Sequence, residues 1–133
     1  MTNELKYKEE LNNDKKLFED KFNQLENCYT LTSKKEIHKF IQKNPGILIL
    51  LDALKPHLKK DFANGEYELY VSHDPEIIDY EKLVLIINVD YERYKNGIGD
   101  EIRALRREIY PLKRKMNLFR ELLIMPGVLN VWF

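Results

Sequence analysis

The residues best equipped for chemistry crowd one short stretch: His73, Asp74, Glu76, Asp79 and Glu81 lie between two strand-like runs, and Asp90 and Glu92 come after the second run. Several carboxylates and one imidazole near a sheet end suit a hard cation such as Mg²⁺ or Mn²⁺, which prefers oxygen ligands. No two of them have a spacing that demands metal, and Asp-Pro is also an ordinary turn initiator. The expectation is therefore no metal and no cofactor, and a metal-dependent enzyme using this acidic turn ranks third among the functional readings.

A second set is basic. Arg103, Arg106, Arg107, Lys113, Arg114, Lys115 and Arg120 flank the apolar face of the last predicted helix. A stripe of Arg and Lys along one helix can follow a phosphate backbone, with Arg103, Arg106, Arg107, Lys113 and Arg114 as the candidate nucleic-acid contacts. The same side chains can instead solubilise the helix and pair with Glu101, Glu108 and Glu121. Few aromatics interleave with them for base stacking, so nucleic-acid binding ranks second.

Nucleophilic catalysis has little to draw on. Ser33 serves as a helix cap, and Ser72 points away from its neighbour His73 if the strand persists. The chain contains no nucleophile elbow, phosphate-binding glycine loop, dinucleotide fingerprint or His-Glu-x-x-His pair. No catalytic residue is assigned, and the protein is read as a non-enzyme.

Composition bounds the rest. A chain of 133 residues, 44% apolar and 33% charged, is one soluble globular domain. Its longest apolar run, from Gly46 to Leu51, is far too short to span a bilayer, and the first twenty residues read as a charged helix instead of a signal segment. A cytoplasmic protein with no membrane contact is expected. The single cysteine, Cys28, excludes an internal disulfide. Net charge is zero, which removes the general electrostatic footprint of a nucleic-acid binder. Its distribution is uneven, with nine acids against three bases over 63–100 and three acids against seven bases over 101–133.

The elements that must position these groups are set by periodicity. Leu11, Phe18 and Leu25 recur at seven residues over 4–27, without Gly or Pro, which predicts a long helical arm over 1–30 with a narrow apolar stripe. Ser33-Lys34-Lys35-Glu36 reads as a capping box that starts a helix ending at Asn44. Asn44 and Pro45 open a further helix burying Ile47, Leu50, Leu51, Leu54, Leu58 and Phe62, kinked at Pro56 and stopped at Asn64-Gly65. Residues 66–72 alternate like a half-buried strand, and 82–91 read as a more interior strand. Their nine-residue link is too short for a helical crossover, so they pair antiparallel. A helix from about Asp100 continues its apolar register across Pro111 to Leu123, and 128–133 supplies the natural third strand. Ile47, Leu51, Leu54, Leu85, Ile87, Leu105 and Ile109 are expected in one core.

The run Leu69-Tyr70-Val71-Ser72-His73-Asp74-Pro75-Glu76, with Lys82-Leu83-Val84-Leu85-Ile86-Ile87-Asn88 after it and a helix with Asn44-Pro45 and Leu50-Leu51 before it, resembles the strand, Asp-Pro-Glu turn, strand core of small uncharacterised prokaryotic proteins. Those proteins end in a short acidic helix with paired tryptophans, where this chain has a long basic helix and a lone Trp132. The resemblance implies a fold and a microbial origin, and neither an activity nor site residues.

The sequence thus reads as one α+β domain over 1–133, several helices on a small antiparallel sheet of two or three strands. The leading function is a non-enzymatic protein-interaction or self-assembly module, for which size and family type suggest a place in a stress or toxin-neutralising system. Its expected partner is another protein or a second copy in a homodimer. Leu11, Phe18 and Leu25 on the arm, with Trp132 and Phe133 at the C-terminus, are the candidate partner contacts, since sparse seams bury against another helix and aromatics dominate binding hot spots.

Overall fold

The computed structural model describes residues 3–73, 76 and 80–129. Helices α1 (Asn3–Asn13) and α2 (Lys15–Asn23) lead through a 3₁₀ turn (Gln24–Asn27) into strand β1 (Thr30–Leu31). Helices α3 (Lys34–Lys43) and α4 (Gly46–Asp61) come next, then strands β2 (Glu66–His73) and β3 (Glu81–Val89), the short helix α5 (Tyr91–Lys95), helix α6 (Ile98–Met116) and strand β4 (Leu122–Val128). The class is α+β, as expected.

The sheet is larger than expected and mixed. Its order is β1-β2-β3-β4. The β2/β3 pair is antiparallel, with Leu69 opposite Leu85 and His73 opposite Glu81. β1 runs parallel to β2, and β4 parallel to β3, with Leu83 opposite Leu122 and Leu85 opposite Ile124. Each parallel neighbour is reached through a pair of helices, the long crossover that parallel pairing requires.

Two expected helices are shorter than their apolar spacing suggests. The N-terminal arm is broken at Asp14, whose side chain accepts the Leu17 amide and caps α2, so the chain changes direction there. The last helix does not reach Leu123. It ends where Asn117 takes a left-handed conformation (φ 57°), which Asn tolerates better than most residues. The apolar residues beyond it belong to β4: Leu122 and Ile124 are buried two apart on a strand, not one turn apart on a helix. The third strand expected over 128–133 therefore begins six residues earlier, and Trp132 and Phe133 lie outside the described residues.

Local capping also differs. Ser33 makes no side-chain cap bond, and Glu36 instead bonds His73. The Asn44 side-chain amide donates back to the Phe40 carbonyl, closing α3 instead of opening α4. Helix α4 continues through Pro56, and the Tyr29 hydroxyl donates at 2.6 Å to the Leu51 carbonyl, one residue before the carbonyl that Pro56 deprives of its amide.

The helices close over one face of the sheet. Ile47, Leu51 and Leu54 of α4, Leu85 and Ile87 of β3, and Leu105 and Ile109 of α6 share one buried cluster, as their spacing predicts. Leu11, Phe18, Leu25, Phe22 and Tyr29 belong to the same cluster. The stripe expected to face a partner is thus enclosed by this chain's own helices, because the break at Asp14 folds α1 and α2 onto the body.

Candidate nucleic-acid interface

Helix α6 divides its surface into three sectors. At about 100° per residue, Ile98, Ile102, Leu105, Ile109 and Met116 share the side that is buried. Arg103, Arg106, Arg107, Lys113 and Arg114 share another side, and Tyr110 falls in the middle of them. Glu101 and Glu108 fall outside both. Of the acids expected to neutralise the basic residues, Glu101 and Glu108 are therefore on a different flank, where Glu101 pairs with Arg93 of α5 at 3.1 Å, while Glu121 lies beyond the helix and its charge acts on Lys113. Of the five candidate contacts, Arg103 has an acidic partner, Asp100 at 3.2 Å, on an exposed surface where such pairs contribute little.

The basic side of α6 overlooks the outer edge of β4. Glu121 turns its carbonyl inward to the Leu83 amide, so alternation turns the carbonyls of Leu122 and Ile124 outward. Lys113 Nζ donates to the Leu122 carbonyl at 2.6 Å, and the Arg106 guanidinium donates to the Ile124 carbonyl through Nε at 3.1 Å and again through Nη2. Burial and the neighbouring Arg106 charge hold the Lys113 ammonium below its ordinary pKa, with burial the larger cause. These two cations are consequently anchored by the edge strand, while Arg107 and Arg114 are exposed and Arg103, also exposed, folds back on Asp100 and the Gly99 carbonyl.

Between α6 and this edge runs an open groove of about 420 Å³. Lys82, Arg106, Lys113 and Arg120 supply its charge, and no acidic side chain is found among the described residues that line it. Its aromatic wall is made of Tyr80, Tyr110 and Phe119. Tyr110 and Phe119 remain 52% and 47% exposed, with ring centroids 6.0 Å apart and planes tilted by 44°. Lys82 lies 5.6 Å from the Tyr80 ring centroid.

Sequence reasoning finds the cations and misses the aromatics. Tyr110 is legible, standing four and three residues after Arg106 and Arg107. Phe119 falls on the buried face only if the helix continues past Asn117, which it does not. Lys82 and Tyr80 come to the groove only through the pairing of β3 with β4.

The acidic turn is a weaker candidate. His73 lies 2.7 Å from Glu36 of α3 and 3.5 Å from Glu81 of β3. Bonding to His73 is the largest cause holding the Glu36 carboxyl below its ordinary pKa. Asp74 and Asp79 lie outside the described residues, and among those described no three His, Cys, Asp or Glu side chains gather as metal ligands. A further groove beside α5 contains Arg93, which stacks 4.8 Å from the Phe62 ring centroid and also bonds Glu101 and the Asp61 carbonyl. It is committed to closing the end of α4. Among the described residues, no helix is long and apolar enough to cross a membrane.

No family model, curated protein or solved structure matches this chain. The functional reading rests on geometry.

Proposed function

We propose that this protein is a non-enzymatic nucleic-acid-binding module whose working surface is the basic side of α6 and the groove beside β4. The observation that carries the reading is the sorting of charge on α6, which sets Arg103, Arg106, Arg107, Lys113 and Arg114 on one side around Tyr110, with Glu101 and Glu108 elsewhere and Asp100 at its border in the first turn, paired with Arg103. Phosphate contacts dominate nucleic-acid affinity and need a cationic surface more than a cationic protein. A net charge of zero is compatible with this because the acids concentrate over 63–100.

The test is fluorescence anisotropy of labelled oligonucleotides titrated with the full chain at low and at physiological salt. Affinity should fall steeply as salt rises. Arg107→Glu with Arg114→Glu, two exposed positions away from the edge-strand bonds, should lower affinity at least tenfold without changing the melting temperature. Absence of saturable binding to any nucleic acid at low salt would overturn the reading.

A protein partner is the second reading, favoured by the exposure of Tyr110, Phe119 and Met125 beside arginines, since aromatics, Met and Arg are enriched at interface cores. Binding of an acidic protein with no affinity for oligonucleotides would select it.

A further inference from the structure

We infer that the groove between α6 and β4 takes an unpaired base, so that the ligand class is single-stranded nucleic acid. The inference rests on the nucleic-acid reading and adds which form of the polymer is bound.

Two half-exposed rings, Tyr110 and Phe119, stand side by side against the body of the protein and leave open faces in the groove. Large aromatics left in solvent cost free energy unless something covers them. A base is a flat apolar surface with a polar rim, and single-strand binders combine aromatic platforms of this kind with a positive groove that tracks the backbone. Here the rings already contact each other, so a base stacks on the outer face of the pair and does not slide between them.

The cations surround that platform with the required geometry. Arg107 and Arg114 stand one turn before and one turn after Tyr110 on the same side of α6, about 4.5 and 6 Å away along the helix axis. Arg120 comes directly after Phe119, and Lys82 lines the same groove beside Tyr80. A backbone running along α6 would meet positive charge on both sides of each stacked base. Duplex nucleic acid keeps its bases stacked inside and could use only the charges.

The shape of the edge supports the same choice. Because Lys113 and Arg106 already bond the outward carbonyls of Leu122 and Ile124, a peptide strand pairing with the groove wall there would have to compete with two cationic donors. What the groove offers an incoming chain is charge and ring faces.

The experiment compares four ligands by anisotropy with the full chain: a single-stranded oligonucleotide, the duplex of the same sequence, an abasic strand of the same length, and inorganic polyphosphate. Tyr110→Ala with Phe119→Ala is assayed beside the wild type, and melting curves confirm that both are folded. The single strand should bind at least tenfold more tightly than the duplex, the abasic strand or polyphosphate, and the double variant should lose that preference while keeping charge-driven binding. The abasic ligand provides the same test without altering the protein. Equal affinity for single strand and duplex, unchanged in the double variant, would overturn the inference and leave the nucleic-acid reading standing. Failure of every phosphate ligand to bind would overturn both.

Discussion

The ammonium of Lys113 donates to the carbonyl of Leu122 at 2.6 Å, and so a helix side chain closes a hydrogen-bonding position on the outer edge of the sheet. Arg106 does the same for Ile124. The next outward position along the strand is Pro126, which has no amide hydrogen to offer. An open edge is a template for pairing with another chain, and this one is blunted at three successive outward positions. Its surface is left free for ligands that do not need a β-ladder.

Replacing both Arg106 and Lys113 by Met should therefore do two things. Loss of hydrogen bonds from charged donors should lower stability by about 1.5–3 kcal/mol. The freed carbonyls should also raise concentration-dependent association, read by sedimentation velocity. A double variant that remains as stable and as dispersed as the parent would show that the edge needs no cover.

The core assignments give a second prediction. Leu51 and Leu85 are completely enclosed, one on α4 and one on β3. Leu51→Ala or Leu85→Ala should each cost about 2–5 kcal/mol, through lost transfer energy and the cavity left behind. Chemical denaturation with an unchanged midpoint would remove either residue from the core.

Tyr67 supports a smaller and more local effect. Its hydroxyl is bonded to the carbonyls of both Leu58 and Phe62, at 3.0 and 2.5 Å, and so satisfies the last turn of α4. Tyr67→Phe should cost about 0.5–1.5 kcal/mol because the hydroxyl bond is lost, while the Leu58 and Phe62 carbonyls keep the amides of Phe62 and Gly65 as donors. Tyr70→Phe, on the opposite face of the same strand, should stay within about 0.5 kcal/mol of the parent. Equal effects at the two positions would contradict this distinction.

Much of this fold is readable from spacing, and the failures have identifiable causes. Helix α4 and the β2/β3 hairpin are plain because a continuous apolar face and a short link admit one solution each. The N-terminal stripe is apolar as its spacing says, but heptad spacing cannot reveal that Asp14 caps a second helix and folds the stripe inward. At the other end, Met116, Phe119 and Leu123 keep helical register by coincidence. The left-handed Asn117 ends the helix between them, and the pairing of β4 beside β3, a long-range contact, decides that ending. The binding groove is half legible, since its cations lie on one helix while Phe119 and Lys82 arrive from other parts of the chain.

The carboxyl of Glu36 offers a pH-dependent test. Its pKa is depressed in the folded state, chiefly by the hydrogen bond with His73. A carboxyl with a lowered folded pKa contributes stability above its unfolded value and loses it as pH falls through the folded value. The stability difference between the parent and Glu36→Gln should be present at neutral pH and vanish in acid, below the ordinary carboxylate range. Melting curves across that interval that run parallel for the two proteins would show that the His73 contact has no part in stability.

The last prediction concerns the N-terminal segment. Leu11, Phe18 and Leu25 are 2%, 5% and 2% exposed within a single chain, so they are structural members of the core before any partner is considered. Glu19 also reaches His38 of α3 at 2.6 Å, and the His38 ring stands perpendicular to those of Phe18 and Phe22, fastening α2 across the body. Removing residues 1–27, or replacing Leu11, Phe18 and Leu25 with Glu, should therefore collapse cooperative unfolding instead of releasing a folded monomer. Burying one unpaired carboxylate in that cluster costs several kcal/mol, comparable with the whole stability of a domain this size. Circular dichroism and sedimentation of the truncated chain decide the matter, and a cooperatively melting monomer from residue 28 onward would return the stripe to the role of a partner surface.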